Sequence, residues 1–537
     1  MTTRVFSLAI LSAVACLFAG AAGAAEKPLH ERIDELIEAK AKGALAPQAR
    51  DAEFVRRIYL DLAGRIPSIA EVKAFVDDKA PDKRAKLIEK LLSSDDHVRR
   101  MTQIFNVMWM ERLGDHEEWQ AFLRESFAAN KPYDQMVREV LNPDPAQEKA
   151  RGAAFWYTKR LENYGQNTID MPGMIRDVGR HFLGIDVQCA QCHDHLFVDE
   201  YKQDYYAGIQ AFVGTTFIRT DLKFPAIALK PLDKKVEFMS VFVKEPKSVG
   251  PKLPGKAEIP LPEFKKGEEF DAPPDKKTNF PGVPKFNTLK LLSEQLPTSD
   301  NRLFTRNIAN RLWWMTMGRG LVWPLDLHHS GNEASHPELL DLLATEMVAR
   351  KFDLRAMIRE IVSSKTYQRS GQLPGDSPAE VPAASYRLAL AKPLSSEQML
   401  ASIRQALGKP EPLAISLGEK SWKEWQTRFD KSLTNPPREP EVEHAPTVKG
   451  ALFVMNDSQV FSWLAPAGDN LTARLDQQKD VAELAKEMYL ALLAREPDEA
   501  EQKEVSEYLA SHANRRQAAI GNLVWALLAS NEFCANH

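Results

Sequence analysis

The sequence predicts a mainly α-helical protein, two helical domains joined by a Pro-rich insert with minor β structure. Three observations carry this reading. Apolar residues recur at the spacing of one helix face, as in Phe54, Ile58 and Leu62, and again in Phe304, Ile308, Leu312 and Met315. Capping-box pairs open several such stretches: Ser68 with Glu71, Ser335 with Glu338, and Ser395 with Gln398, the last flanked by Leu394 and Met399 as a hydrophobic staple. Between the two helical parts, prolines at 225, 231, 246, 251, 254, 260, 262, 273, 274, 281 and 284 exclude long helices. A chain of 537 residues is too long for one core. The reading places an N-terminal helical domain at 25–220, the insert at 221–290 and a second helical domain at 291–537.

In chain order, residues 1–24 read as a signal peptide. Arg4 precedes an apolar run from Val5 to Gly20, and Ala22-Gly23-Ala24 suits a signal peptidase. Cys16 lacks the Leu three residues upstream that a lipoprotein site would show. Export to the periplasm or beyond is therefore expected, with no membrane span in the remainder.

A polar helix with a loose end is expected over 26–50, followed by the Phe54 helix, which Gly64 and Pro67 stop. Further helices are expected at about 82–92, 97–113, 117–129 and 134–141, whereas 142–166 has no period and reads as a loop. Asp170 and Pro172 open a helix with Ile175, Val178 and Phe182 on one face, closed by Gly184. In the insert, Val236 to Val243 suits a short strand. The stretch from Ile415 to Val448 reads as a polar surface excursion, and Trp313 and Trp314 as core.

Lys plus Arg number 70 and Asp plus Glu 74. That balance, without a dominant single-sign block, gives no nucleic-acid footprint. No nucleophile elbow, Walker loop, dinucleotide fingerprint or zincin pair occurs. An internal match does: Tyr59-Leu60-x-Leu62-x-x-Arg65-x-Pro67-x-x-x-Glu71 returns as Tyr489-Leu490-x-Leu492-x-x-Arg495-x-Pro497-x-x-x-Glu501. It reads as a reused helical scaffold in which Arg caps a helix end.

The chemistry concentrates in Cys189-Ala-Gln-Cys192-His193-Asp194-His195, which holds two of only four cysteines. Cys-x-x-Cys-His is the spacing by which c-type haem is attached: two thiols on one turn add to the porphyrin vinyl groups, and the next imidazole reaches the iron. Cys189, Cys192 and His193 are thus candidate haem c residues. A trans ligand would come from Met171, Met174 or His181, or from His336 or the pair His328-His329. A second reading is a non-haem Zn, Fe or Cu site drawing on His193, His195, Asp194 and His181 beside the thiolates. A third is a disulfide or buried thiol pair holding a loop. Cys534 is left as an odd cysteine.

Phe54-Val-Arg-Arg-Ile-Tyr-Leu-Asp-Leu-Ala-Gly-Arg-Ile-Pro67, Lys131-Pro-Tyr-Asp-Gln-Met-Val-Arg-Glu139 and the run from Phe182 to Tyr206 resemble a cytochrome-associated domain of large secreted planctomycete proteins (PSCyt type). Asn310-Arg-Leu-Trp313, Gly318-Arg-Gly-Leu-Val322, Ser335-His-Pro-Glu-Leu-Leu-Asp341 and Ser530-Asn-Glu-Phe533 resemble its C-terminal companion (PSD type). The resemblance covers most of the chain except the insert, and the activity of these domains is not established. It implies export, a two-domain layout and a cytochrome c-like redox partner. The chain departs from the pattern at Leu196, where Pro commonly stands, and at Leu327-His328-His329, which replaces a more acidic stretch.

Overall fold

Local capping signals set most helix starts. Ser68 and Glu71 exchange both bonds of a capping box, at 3.2 and 2.7 Å, and so do Ser395 and Gln398, at 3.3 and 3.0 Å. The third expected box does not form. Pro337 begins the helix Pro337–Ala349 with no side-chain cap, and Ser335 instead donates its N–H to the Leu321 carbonyl at 2.7 Å. Proline already fixes the first turn there and removes one orphan donor.

The computed structural model describes residues 27–162, 169–375, 381–408, 420–441, 450, 453 and 456–537. The chain is mainly helical, with 54 % helix against 6 % strand, and the named strands form two-stranded sheets only. The proposed signal peptide lies outside the described residues. No described helix is long and apolar enough to cross a membrane.

Several expectations need correction. The first helix is Leu29–Lys40 and does not reach Arg50, since Gly43 takes φ +110° and Pro47 follows. Within 142–166, a 3-10 turn Arg151–Ala154 leads into the helix Phe155–Leu161, and 163–166 lies outside the described residues. Phe155, Trp156 and Tyr157 are all buried, and a helix covered on every side shows no amphipathic period. The polar stretch 415–448 contains the helix Lys420–Leu433, which buries Trp422 and Phe429; 415–419 and 442–448 are not among the described residues. Trp313 is core but Trp314 is only partly covered. In the insert, the strand Val236–Met239 ends four residues before Val243 and pairs antiparallel with Pro246–Val249.

Apolar side chains gather in two cores. The larger runs from Leu29 to Tyr386 around Trp109, Trp119, Trp156 and Trp313, so helices on both sides of the insert share it. The smaller is built mostly from 394 to 533. The two exchange members: Leu60 and Ile66 lie in the smaller core, Leu490 and Ala494 in the larger.

Those residues belong to the internal match, and the two copies are alike in detail. Gly64 and Ala494 end their helices in the left-handed region, at φ +70° and +60°. Arg65 holds Glu71 with two bonds of 2.9 Å, and Arg495 holds Glu501 with two of 2.7 Å. Each guanidinium lies over the tyrosine of its own copy, Tyr59 at 5.2 Å and Tyr489 at 5.3 Å. The nitrogen Nε then reaches a carboxylate two α-helices further on, Asp96 or Glu532.

The helix Asp51–Ala63 carries two buried arginines, of which Arg56 ties the copies together and Arg57 holds the segment after residue 366. Arg56 donates to the carbonyls of Leu492, Glu532 and Phe533 at 2.9–3.0 Å. Arg57 donates to those of Tyr367 and Arg369 at 2.9 and 2.8 Å. Burial pushes the Arg56 guanidinium down to about 10, so its carbonyl partners are what make the charge tolerable. Arg56→Met, which leaves those buried carbonyls without a donor, is expected to lower stability by roughly 2–4 kcal/mol. Chemical denaturation followed by fluorescence checks this. An unchanged midpoint would show that Arg56 does not join the two ends.

Candidate functional site

The chain enters the cysteine turn through a constrained approach. Asp170 caps the helix Met171–Val178 by accepting from Gly173 N at 3.0 Å. The helix widens into a π turn, Gly179–Leu183, and Gly184 ends it at φ +69°. A Cβ on Gly184 would sit 2.7 Å from the His328 ring, so glycine serves both the conformation and the close approach. His328 N donates to the Gly184 carbonyl at 3.0 Å, which fastens this exit to the second helical region. Asp186 is held by Arg176 and accepts from Gln188 N at 3.0 Å.

Cys189–Gln191 then forms one 3-10 turn, closed by Cys192 N donating to Cys189 O at 3.3 Å. Both thiols are exposed and free. Gln203, at the start of the helix Gln203–Val213, clamps the turn. Its backbone N–H donates to Asp194 Oδ1 at 2.7 Å, and its side-chain amide reaches the carbonyls of Gln191 and Met239 at 3.4 and 3.3 Å. Val241 N donates to Cys192 O at 3.0 Å, so the insert hairpin lies directly against the motif. The Tyr206 hydroxyl, beside Cys192, is pushed up to about 12, first by burial and then by that neighbour.

The two histidines of the motif differ in tautomer. His193 Nδ1 faces the Asp194 carbonyl at 2.6 Å and must donate to it, which leaves the lone pair on Nε2. His195 Nδ1 accepts from Phe197 N at 3.2 Å, which places the proton of the neutral ring on Nε2. His193 is therefore the better prepared ligand. Its ring rests against Phe242, centroids 4.8 Å apart. Around the turn stand Leu196, Phe197, Met239, Val241, Phe242 and Val243, all at least half exposed, and Phe197 is 89 % exposed. This rim is invisible to helix periodicity. Its signal was the apolar Val241-Phe242-Val243 in a Lys- and Pro-rich stretch.

His181, proposed as a ligand beside the motif, lies elsewhere in chemical terms. It is buried with Glu111 and Asp177, and only these three bring potential ligand atoms within 4.8 Å of one another among the described residues. His193, His195 and Asp194 form no such set with the cysteines. Arg180 binds Glu111 at 2.5 Å and Asp326 at 3.0 Å, while Arg160 binds Asp177 at 2.7 Å. These guanidinium groups neutralise the carboxylates and account for the cluster as an ion-pair network. Met174 is buried, and His336 is buried against the Tyr386 ring. His329 lies nearer the motif, with its ring edge-on to Tyr201, which in turn meets His195. Cys534 is a half-buried free thiol whose Sγ faces the Leu528 carbonyl at 3.6 Å.

Fold and site together define a mainly helical protein with a Cys-x-x-Cys-His turn displayed between its first helical region and its insert. Residues 32–217 match the PSCyt2 family model, a protein of unknown function (DUF1549), and residues 290–435 match PSD1, a protein of unknown function (DUF1553). The chain thus carries a PSCyt2 domain, which contains the cysteine turn, followed by a PSD1 domain. No curated protein and no solved structure matches it.

The buried histidines make stability depend on pH. Burial, aided by Arg306 and Arg311, holds His328 down at about 3, and burial holds His97 and His336 at about 4. Unfolded, each binds a proton near pH 6.5. Between pH 6.5 and about 4 the unfolded chain therefore binds more protons, and stability falls on acidification. Asp430, raised to about 6 by burial and Glu397, acts in the opposite direction but is one group against three. The urea midpoint is expected to drop steadily from pH 7.5 to 4.5. A flat midpoint would mean that the histidines titrate normally in the folded chain.

Proposed function

We propose that the chain is an exported protein that holds c-type haem covalently at Cys189 and Cys192, with His193 as the proximal ligand, and serves redox or electron transfer with a cytochrome c-like partner. The observation that carries this reading is the form of the turn. Two free thiols stand on one exposed turn, followed by an imidazole whose Nδ1 is occupied and whose Nε2 keeps its lone pair. The exposed apolar rim suits a flat hydrophobic group, because contiguous apolar surface at a site marks what binds there.

When bound, such a group supplies one-electron chemistry. The chain's own residues do the holding. Gln203 and Asp194 fix the turn, the Asp194 carbonyl sets the His193 tautomer, and Phe242 braces its ring. Exposure of the motif would leave an edge within reach of a partner.

The test is a haem stain on a denaturing gel, with a pyridine haemochrome spectrum, of protein exported by a host that carries out cytochrome c maturation. A covalent signal is expected, abolished by Cys189→Ala with Cys192→Ala. His193→Ala should alter the visible spectrum of whatever haem remains attached. A colourless, unstained protein would overturn the proposal.

A further inference from the structure

We propose that a second site, apart from the cysteine turn, binds a small organic anion: a carboxylate or phosphate head on a ring or apolar body. It is a cavity of about 500 Å³ lined by the helix Asp95–Met110, by the end of the helix Arg302–Met317 with the turn after it, and by residues of the 383–398 segment. Its size is that of a small-molecule pocket.

The charges of its wall decide the ligand. Every carboxylate facing it is already engaged by a cation. Asp61 binds Lys392 at 2.6 Å and also accepts from Tyr367 and Asn536. Glu111 binds Arg180, and Asp326 binds Arg180 and Arg311. Glu397 and Glu441 both bind Arg112, at 2.6 and 2.8 Å.

Two cations on the wall are not engaged in this way. Arg100 makes one long bond, 3.4 Å to Ser395 Oγ, and its Nε is buried without a partner. Arg319 lies over the Trp323 ring at 5.2 Å and has no ion pair among the described residues. Burial pushes Arg100 down to about 10, although the charges of Glu397 and Asp61 act to raise it. Two guanidinium groups with spare donors on the wall of one cavity favour an oxyanion. The rest of the wall offers Trp314, Trp323, Ile104, Met108 and Leu390, which suit a ring or apolar body. The ligand is thus distinguished from a bare inorganic ion by the apolar half of the cavity.

The test is calorimetric titration of the full chain with benzoate, phenyl phosphate and the neutral control benzyl alcohol. One anionic probe is expected to bind one-to-one, at least about ten-fold more tightly than benzyl alcohol, with affinity falling as salt rises. Which of the two binds identifies the head group. Arg319→Gln and Arg100→Gln should each weaken that probe about ten-fold or more. Arg319 is partly exposed, so its variant is expected to keep the parent circular dichroism and melting temperature. It decides the matter even if Arg100→Gln fails to fold. Anions that bind no better than benzyl alcohol, or a folded Arg319→Gln that binds them unchanged, would overturn the site.

Discussion

The buried guanidinium of Arg180 is the point on which the arrangement of the cysteine turn depends. It joins Glu111 at the end of the helix Asp95–Met110, Asp177 in the helix before the turn, and Asp326 in the second helical region. Its own carbonyl accepts from Arg311 at 2.8 Å, and the next carbonyl, of His181, accepts from Asn307 at 2.9 Å. A buried charge is costly unless neutralised and hydrogen-bonded in full. Here that requirement fixes three segments far apart in sequence. The π turn at 179–183, the Gly184 exit and the Cys189 turn follow from it in order, so the PSD1 domain helps to shape a motif that lies in the PSCyt2 domain.

The motif is set by hydrogen bonds and not by burial. Gln203 spends backbone and side chain on it, and the hairpin tip approaches it through one backbone bond from Val241. The contrast with His181 is instructive. That residue sits among carboxylates, as a metal ligand would, yet arginines answer the same charges. His193 sits on the surface, with its tautomer chosen by a neighbouring carbonyl and its ring against an exposed phenylalanine. His193 is partly exposed and keeps the lone pair of Nε2, whereas His181 is buried.

Much of this could be read from residues alone, for reasons that differ from place to place. Ser68 and Ser395 signalled helix starts because their partners lie three residues on, within reach of local geometry. The repeated Tyr-Leu-x-Leu-x-x-Arg pattern was legible because both copies use arginine for the same fork onto glutamate. The helix Phe155–Leu161 was not, since its polar Thr158 and Arg160 are buried along with its aromatic residues, so polarity does not mark an outer face. Ser335 misled because Pro337 had already done the work of a cap. At the site, the cysteine spacing was plain, but the apolar rim and the Gln203 clamp depend on contacts across the chain, and the difference between His193 and His195 on the local backbone geometry of the turn. The separation of His181 from the motif likewise came from long-range ion pairs that no local pattern encodes.

The exchange of Leu60 and Ile66 for Leu490 and Ala494 has a consequence for how the chain is made. A ribosome delivers residues in order, and the first copy of the repeat emerges more than four hundred positions before the second. Until then, the larger core lacks its last members and Arg56 has no carbonyls to meet. The early part of the nascent polypeptide can form its helices but cannot complete its interior, and must stay soluble meanwhile. Emergence of the second copy therefore brings a closing step, in which a late segment fills places that an early one has held open.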